Sequence, residues 1–195
     1  MKLYLIRHPK PDVEKGLCYG QTDVPLEKGW NIAAEHLKQH LVQQISEGEA
    51  TFFHSPLERA AKLAGFISQD QSQMNEALKE LDFGLWENTL WKNIPRESIE
   101  LWFDDILRAT PYQGESLQAL ANRVWAWWLL VQKNNPEHLV VVTHAGVIKV
   151  LVSLLCQWPL EQAHRIDVGF TSLTELYVQD NYISLKRLGA GDWVI

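Results

Sequence analysis

The chain has 195 residues, 46% of them apolar and 22% charged, with a formal net charge of −6. That length suits one well-buried core and is short for two independent domains, while an acidic balance argues against nucleic acid as a partner and confines any anion site to a local basic pocket. Cys18 and Cys156 are the only cysteines, which fits a reducing, cytoplasmic compartment rather than a disulfide framework; the N-terminus runs straight into a strand, so no signal peptide is expected, and no apolar run is long enough to span a membrane.

Lys2-Leu3-Tyr4-Leu5-Ile6 reads as a buried β-strand that ends in Arg7-His8. Residues 9–25, punctuated by Pro9, Pro11, Gly16, Gly20 and Pro25, form a loop long enough to be functional. Residues 27–45 fit an amphipathic helix with Ile32, Ala33, Leu37, Leu41 and Ile45 near helical spacing. A second strand covers 50–54, and the next helix runs from Pro56, in its first turn, to Ser68. A short strand is expected at 74–80, then a loop over 81–86, then helices over 91–107 and 115–133. Leu139 to Thr143 is the clearest strand. A helix follows over 146–156, and 173–178 with 182–188 form a hairpin across Asp180-Asn181. This alternation predicts a single α/β domain: a three-layer α/β/α sandwich whose central sheet is mostly parallel with one antiparallel edge strand. A small helical insertion is expected over about 85–115, beside the active site.

Three of these strands end in cationic or imidazole side chains. The first delivers Arg7 and His8, the second leads through His54-Ser55-Pro56 to Arg59, and the 139–143 strand delivers His144, followed by Ala145 and Gly146. Ligands of open α/β sheets bind outside the carboxyl ends of strands. Guanidiniums and imidazoles gathered there suit an anion, phosphate above all.

The motifs LIRHP at 5–9, HSPLERA at 54–60, LKELDFGLWEN at 78–88 and VTHAGVIK at 142–149, in that order and nearly end to end, resemble the histidine phosphatase superfamily, whose fold is shared with cofactor-dependent phosphoglycerate mutase. GQTDVPL at 20–26 and GES at 114–116 are similar to the branch that contains alpha-ribazole phosphatase, an enzyme of cobalamin nucleotide-loop assembly. The resemblance implies metal-independent hydrolysis of a phosphomonoester, with no cofactor. It makes His8 the nucleophile, Arg7, Arg59 and His144 the phosphate clamp, and Glu80 the acid for the leaving group. Glu87 is the runner-up acid, with a structural role as loop cap favoured. Gly20, Gln21, Thr22 and Ala145 are expected to contact the phosphoryl group, and Asp23 to organise the loop.

The implied partner is a small phosphorylated metabolite, first alpha-ribazole 5′-phosphate. The alternative is a broad-specificity phosphatase; a mutase or a non-catalytic binding module ranks below both. The chemistry agrees with these roles: a neutral imidazole is a positionable nucleophile, and guanidiniums stabilise the charge of the transferring group.

The chain departs from the family pattern in three places. Pro9 stands where Gly usually follows Arg-His, which removes an N–H. No Asn follows the pair, only Asp12 and Glu14, and His54 replaces a Ser. Other signals are set aside. His36 and His40 have a zinc-compatible spacing without a third ligand, and Arg165 reads as a surface residue. Trp125, Trp127 and Trp128 fall within one helix. They read as a secondary core or a homodimer surface ahead of a wall for a flat substrate base.

Overall fold

The computed structural model describes residues 1–46, 49–180 and 182–191. The elements are β1 (Lys2–Arg7), β2 (Leu17–Cys18), α1 (Trp30–Gln44), β3 (Ala50–His54), α2 (Glu58–Ser68), β4 (Gln73–Met74), β5 (Thr89–Leu90), α3 (Arg96–Asp104), α4 (Leu117–Val131), β6 (His138–Thr143), α5 (Ala145–Leu155), β7 (Leu173–Gln179) and β8 (Tyr182–Ala190). Six strands form the central sheet in the order β4-β3-β6-β1-β7-β8. β4, β3, β6 and β1 are mutually parallel. The β7–β8 hairpin brings the antiparallel pairing at the other edge. The mostly parallel, two-face-covered sheet expected from the sequence is therefore the fold. Asn181, half of the predicted hairpin turn, lies outside the described residues.

The near-continuous apolar runs of β1 and β6 exist because both faces of the sheet are covered. Side chains alternate across a strand. Leu3, Leu5, Leu139 and Val141 pack with Leu120, Val124, Trp128, Ile148 and Leu151 of α4 and α5. Tyr4, Ile6, Val140 and Val142 pack on the other side with Ala34, Leu37, Ala60 and Leu63 of α1 and α2. Trp127 and Trp128 thus belong to the main core, where Trp127 meets Phe53 edge to face at 5.7 Å. A separate aromatic cluster of Trp86, Tyr112, Phe83, Trp91 and Trp102, with Cys18 and Ile94, fills the space under α3.

Several boundaries differ from expectation for identifiable reasons. The buried face of α1 is Ala34, Leu37 and Leu41, while Ile32 is 66% exposed. The apolar count of that helix admits either face, and packing chooses the narrower one. Pro56 precedes α2, whose N-cap is Leu57. The strand expected at 74–80 is the two-residue β4 followed by a 3-10 turn at Glu76–Leu78, capped by Asn75 through the Ala77 N–H. Pro95 divides the helix expected over 91–107 into a 3-10 turn at Trp91–Asn93 and α3, since proline cannot donate within a helix. β2 and β5 pair antiparallel as a second, two-stranded sheet inside what reads as loop. Two-residue strands carry no periodicity to reveal them. Among the described residues no helix is long and apolar enough to cross a membrane.

Candidate active site

β1 ends so that Arg7 and His8 emerge beside the end of β6, with the His8 N–H donating to Thr143 O at 2.9 Å. His8 is 1% exposed. Its Nδ1 lies 2.7 Å from Pro9 O. A carbonyl only accepts, so Nδ1 carries the proton and Nε2 keeps its lone pair. The proline after Arg-His removes an N–H but leaves the carbonyl that fixes this tautomer. Arg59 Nε faces Nε2 at 3.3 Å. Burial, then the charge of Arg59 and that of Arg7, hold the imidazole well below its ordinary value, against the opposing pull of Pro9 O. The result is a neutral imidazole with an Nε2 lone pair, flanked by Arg59 and Arg7.

Arg59 is completely buried in the first turn of α2. Besides its contact with His8 it donates to Thr22 O at 2.9 Å and Gly20 O at 2.5 Å. Arg7 donates to Val168 O at 2.6 Å, and its guanidinium lies 3.8 Å over the Phe170 ring. His144 stands at the N-cap of α5, fully buried, with its ring centre 5.1 Å from that of His8. Its Nε2 is 2.7 Å from Ser55 Oγ. Two buried nitrogens of this cluster, Arg7 Nε and His144 Nδ1, have no hydrogen-bond partner among the described residues. Unpaired buried polar groups are rare in folded proteins, and an anion seated beside His8 is the kind of partner that would satisfy them.

Glu80 reaches the same region from the segment after the 3-10 turn. One carboxylate oxygen accepts from Leu81 N at 2.9 Å and the other from Gly146 N at 3.1 Å. A side chain at Gly146 would collide with Glu80 Oε1, so this glycine is needed for the approach. Arg123 of α4 anchors the segment. It donates to Ala77 O, Lys79 O and Glu80 O at 2.7, 2.8 and 3.0 Å, and is itself held by Glu115 at 2.7 and 2.8 Å.

The loop residues are placed differently from a direct phosphate cradle. Glu87 accepts from Gln21 N at 2.8 Å, Thr22 N at 2.7 Å, Phe83 N at 3.1 Å and the Thr22 hydroxyl. The Gln21 amide donates to Glu80 O at 3.0 Å. Glu87 is thus a structural knot, and the backbone donors of Gln21 and Thr22 face it. Gly20, at φ +34°, brings its Cα close to Glu87 and to Leu81 O, which an added Cβ would meet at 2.9 Å. Asp23 accepts from Glu58 N at 2.7 Å and so ties the loop to the start of α2. Ala145 is the first residue of α5, half-buried beside His144.

His54 shares the face of Phe52 by alternation, toward α1 and α2, and Arg165 is exposed. Among the described residues no cluster of three or more His, Cys, Asp or Glu is placed to hold a metal ion. Sequence reasoning missed Ser55, Tyr19, Phe170 and Arg123. Ser55 lies within HSPLERA and Tyr19 directly before GQTDVPL, while Phe170 and Arg123 stand apart from every motif.

A cavity of about 620 Å³ adjoins the cluster through Tyr19 and Phe170, whose rings lie 6.5 and 5.6 Å from that of His8. The cavity's lining includes Tyr19, Gly20, Glu80 and Phe170, the aromatic rings of Phe83 and Trp91, and the exposed Lys10, Glu14 and Lys15. Phe83 meets Trp91 edge to face at 5.4 Å, and Trp91 is backed by Trp102 in a stacked arrangement at 6.2 Å. An aromatic wall therefore exists, built by the 83–102 region and not by the tryptophans of α4.

The model of the histidine phosphatase superfamily (branch 1) matches residues 3–191. Adenosylcobalamin/alpha-ribazole phosphatase of Escherichia coli (strain K12) is 30% identical over 200 residues, covering 97% of this chain and 96% of that protein. The crystal structure of alpha-ribazole phosphatase from Shigella flexneri superposes with a TM-score of 0.84 at 26% identity, covering 97% of this chain and 96% of that one. Phosphoserine phosphatase from Entamoeba histolytica superposes with a TM-score of 0.87 at 22% identity, covering 100% and 99%, a likeness of fold alone.

Proposed function

Because the chain belongs to the histidine phosphatase superfamily, we propose that it hydrolyses a phosphomonoester through a phosphohistidine on His8, and that the ester is alpha-ribazole 5′-phosphate. Arg7, Arg59 and His144 hold the phosphoryl oxygens. The His8 Nε2 lone pair attacks phosphorus as the bond to the leaving oxygen breaks, and Glu80 gives that oxygen a proton. Glu80 then takes a proton from water, whose oxygen attacks phosphorus. The P–N bond breaks and neutral His8 is restored, with inorganic phosphate as the second product. Arg59 exchanges its bond to Nε2 for the phosphoryl group in the first step.

The observation that carries the choice of substrate is the cavity of about 620 Å³ lined by Phe83 and Trp91. It suits a bulky leaving group with a planar ring, such as the benzimidazole riboside. A three-carbon acid would leave most of it empty, and its lining offers no buried cation for a carboxylate: Lys10 and Lys15 are both exposed, and Lys10 is paired with Glu27 at 2.5 Å. The exposed charged part of the lining also favours a second reading, a phosphatase of broad specificity. Cys18 and Cys156 are free thiols, in keeping with a cytoplasmic enzyme.

The test is a substrate panel in EDTA with alpha-ribazole 5′-phosphate, phosphoserine, 3-phosphoglycerate and an aryl phosphate. The highest kcat/KM is expected for alpha-ribazole 5′-phosphate, with all activity lost in His8→Ala. A flat panel supports broad specificity, a preference for phosphoserine overturns the substrate, and retained activity in His8→Ala overturns the mechanism.

A further inference from the structure

Ser55 has no assigned part in the chemistry, yet its hydroxyl is completely buried against the clamp. Ser55 Oγ receives the Leu57 N–H at 3.3 Å and lies 2.7 Å from His144 Nε2. A serine hydroxyl has one hydrogen and two lone pairs. With one lone pair facing Leu57, the remaining question is which way the hydrogen bond to His144 runs. If Nε2 carried the proton, the Ser55 hydrogen would be buried with no acceptor among the described residues. His144 Nδ1 would then be a buried lone pair with no N–H facing it among the described residues, although His144 is the N-cap of α5. If the Ser55 hydroxyl donates to Nε2, every one of these groups is consistent, and the only unmatched one is a proton on Nδ1.

We propose that Ser55 is a positioning residue that fixes His144 as the neutral Nδ1–H tautomer, so that His144 serves the phosphoryl group as an uncharged hydrogen-bond donor. The inference rests on the phosphate-site reading given above and adds the protonation state of one member of the clamp. It also gives the two histidines one logic. Pro9 O holds the proton on Nδ1 of His8, leaving Nε2 as the nucleophile. Ser55 Oγ holds the proton on Nδ1 of His144, leaving it as the donor. The charged and titratable groups that act on His144 are Arg59 from α2, His8 and Arg7 from the end of β1, and Arg123 from α4. All four oppose a positive charge on it, as does its burial. A neutral donor is what that environment accepts.

The tautomer is read directly by ¹⁵N NMR of histidine-labelled protein, with the His144 signals assigned by their loss in His144→Asn. In the unliganded wild type at pH 7.5, a protonated Nδ1 and an unprotonated Nε2 are expected. Ser55→Ala, folded by circular dichroism, should show a mixed or reversed tautomer and a fall in kcat/KM of about ten- to a hundredfold, less than removing an oxyanion donor outright. Wild-type spectra with the proton on Nε2, or on both nitrogens, overturn the proposal, as do unchanged nitrogen shifts in Ser55→Ala. If that variant does not fold, the wild-type spectrum alone decides. Should the substrate panel fail while the Nδ1–H tautomer is found, the error lies in the function and not in the role of Ser55.

Discussion

Glu80 is the acid of the proposed mechanism, and its surroundings suit that job. Leu81 N and Gly146 N each donate to one of its oxygens, so the carboxyl is oriented before substrate arrives. It lines the cavity proposed to take the leaving group. An acid that protonates the leaving group matters most when that group is a poor one. Glu80→Gln should therefore slow an alkyl phosphate by about 10²- to 10⁴-fold, and a nitrophenyl phosphate, whose phenolate leaves unaided, by much less. Steady-state rates on the two esters check this. Equal losses on both would remove Glu80 from the acid's role. His8 and His144 show the complementary design, in which a neutral carbonyl or hydroxyl sets a tautomer, and burial, then the arginines, keep the ring uncharged.

At the scale of elements, the site is assembled by carboxylates and guanidiniums that stitch loops to helices. Glu87 fastens the 20–22 loop to the turn at 83–87, Asp23 fastens the same loop to α2, and Arg123 fastens the Glu80 segment to α4. Removing the Glu87 carboxylate leaves the Gln21, Thr22 and Phe83 amides without their acceptor, at about 1–3 kcal/mol for each one that water does not reach. Glu87→Ala should lower the melting temperature and raise KM as the loop loosens. The ratio of alkyl to aryl rates should stay as in the wild type, since the proposed acid is Glu80 and not Glu87. A changed ratio with unchanged melting would reverse that assignment.

These stitches explain what was legible in the sequence. His8, Arg59 and His144 were visible because each follows a strand, and strand ends announce themselves by apolar runs. The partners of Ser55 and Arg123 lie 89 and 43 to 46 positions away, a separation that no local pattern encodes; for Glu87 a loop-capping role was legible, but not that the loop it holds lies 66 positions away. The same holds for Gln21 and Thr22, whose motif suggested phosphate contacts while their backbone donors are turned toward Glu87. Periodicity found α1 but not its face, because Ile32 and Ala33 extend the apolar count on a side that stays exposed.

The whole molecule folds around histidines that it keeps neutral. Burial is the leading cause of a lowered value for His8, His40, His54, His138 and His144, with neighbouring cations adding to it at His8, His40, His138 and His144. In the unfolded chain each returns toward 6.5. Below that pH the unfolded state therefore binds protons that the folded state refuses, and stability falls as pH falls. The contribution is intact above pH 6.5 and is lost progressively on acidification toward the folded values. For His8 and His144, 1% and 0% exposed, the loss is about 1 kcal/mol each for every pH unit below 6.5. Denaturant unfolding at pH 7.5 and 5.5 should show the wild type losing stability over a range where carboxylates remain ionised. His8→Gln, which has no proton to refuse, should lose about 1 kcal/mol less across the same interval. An identical pH dependence in the two proteins would mean that His8 takes up a proton in the folded state, and a charged imidazole at that position could not serve as the nucleophile.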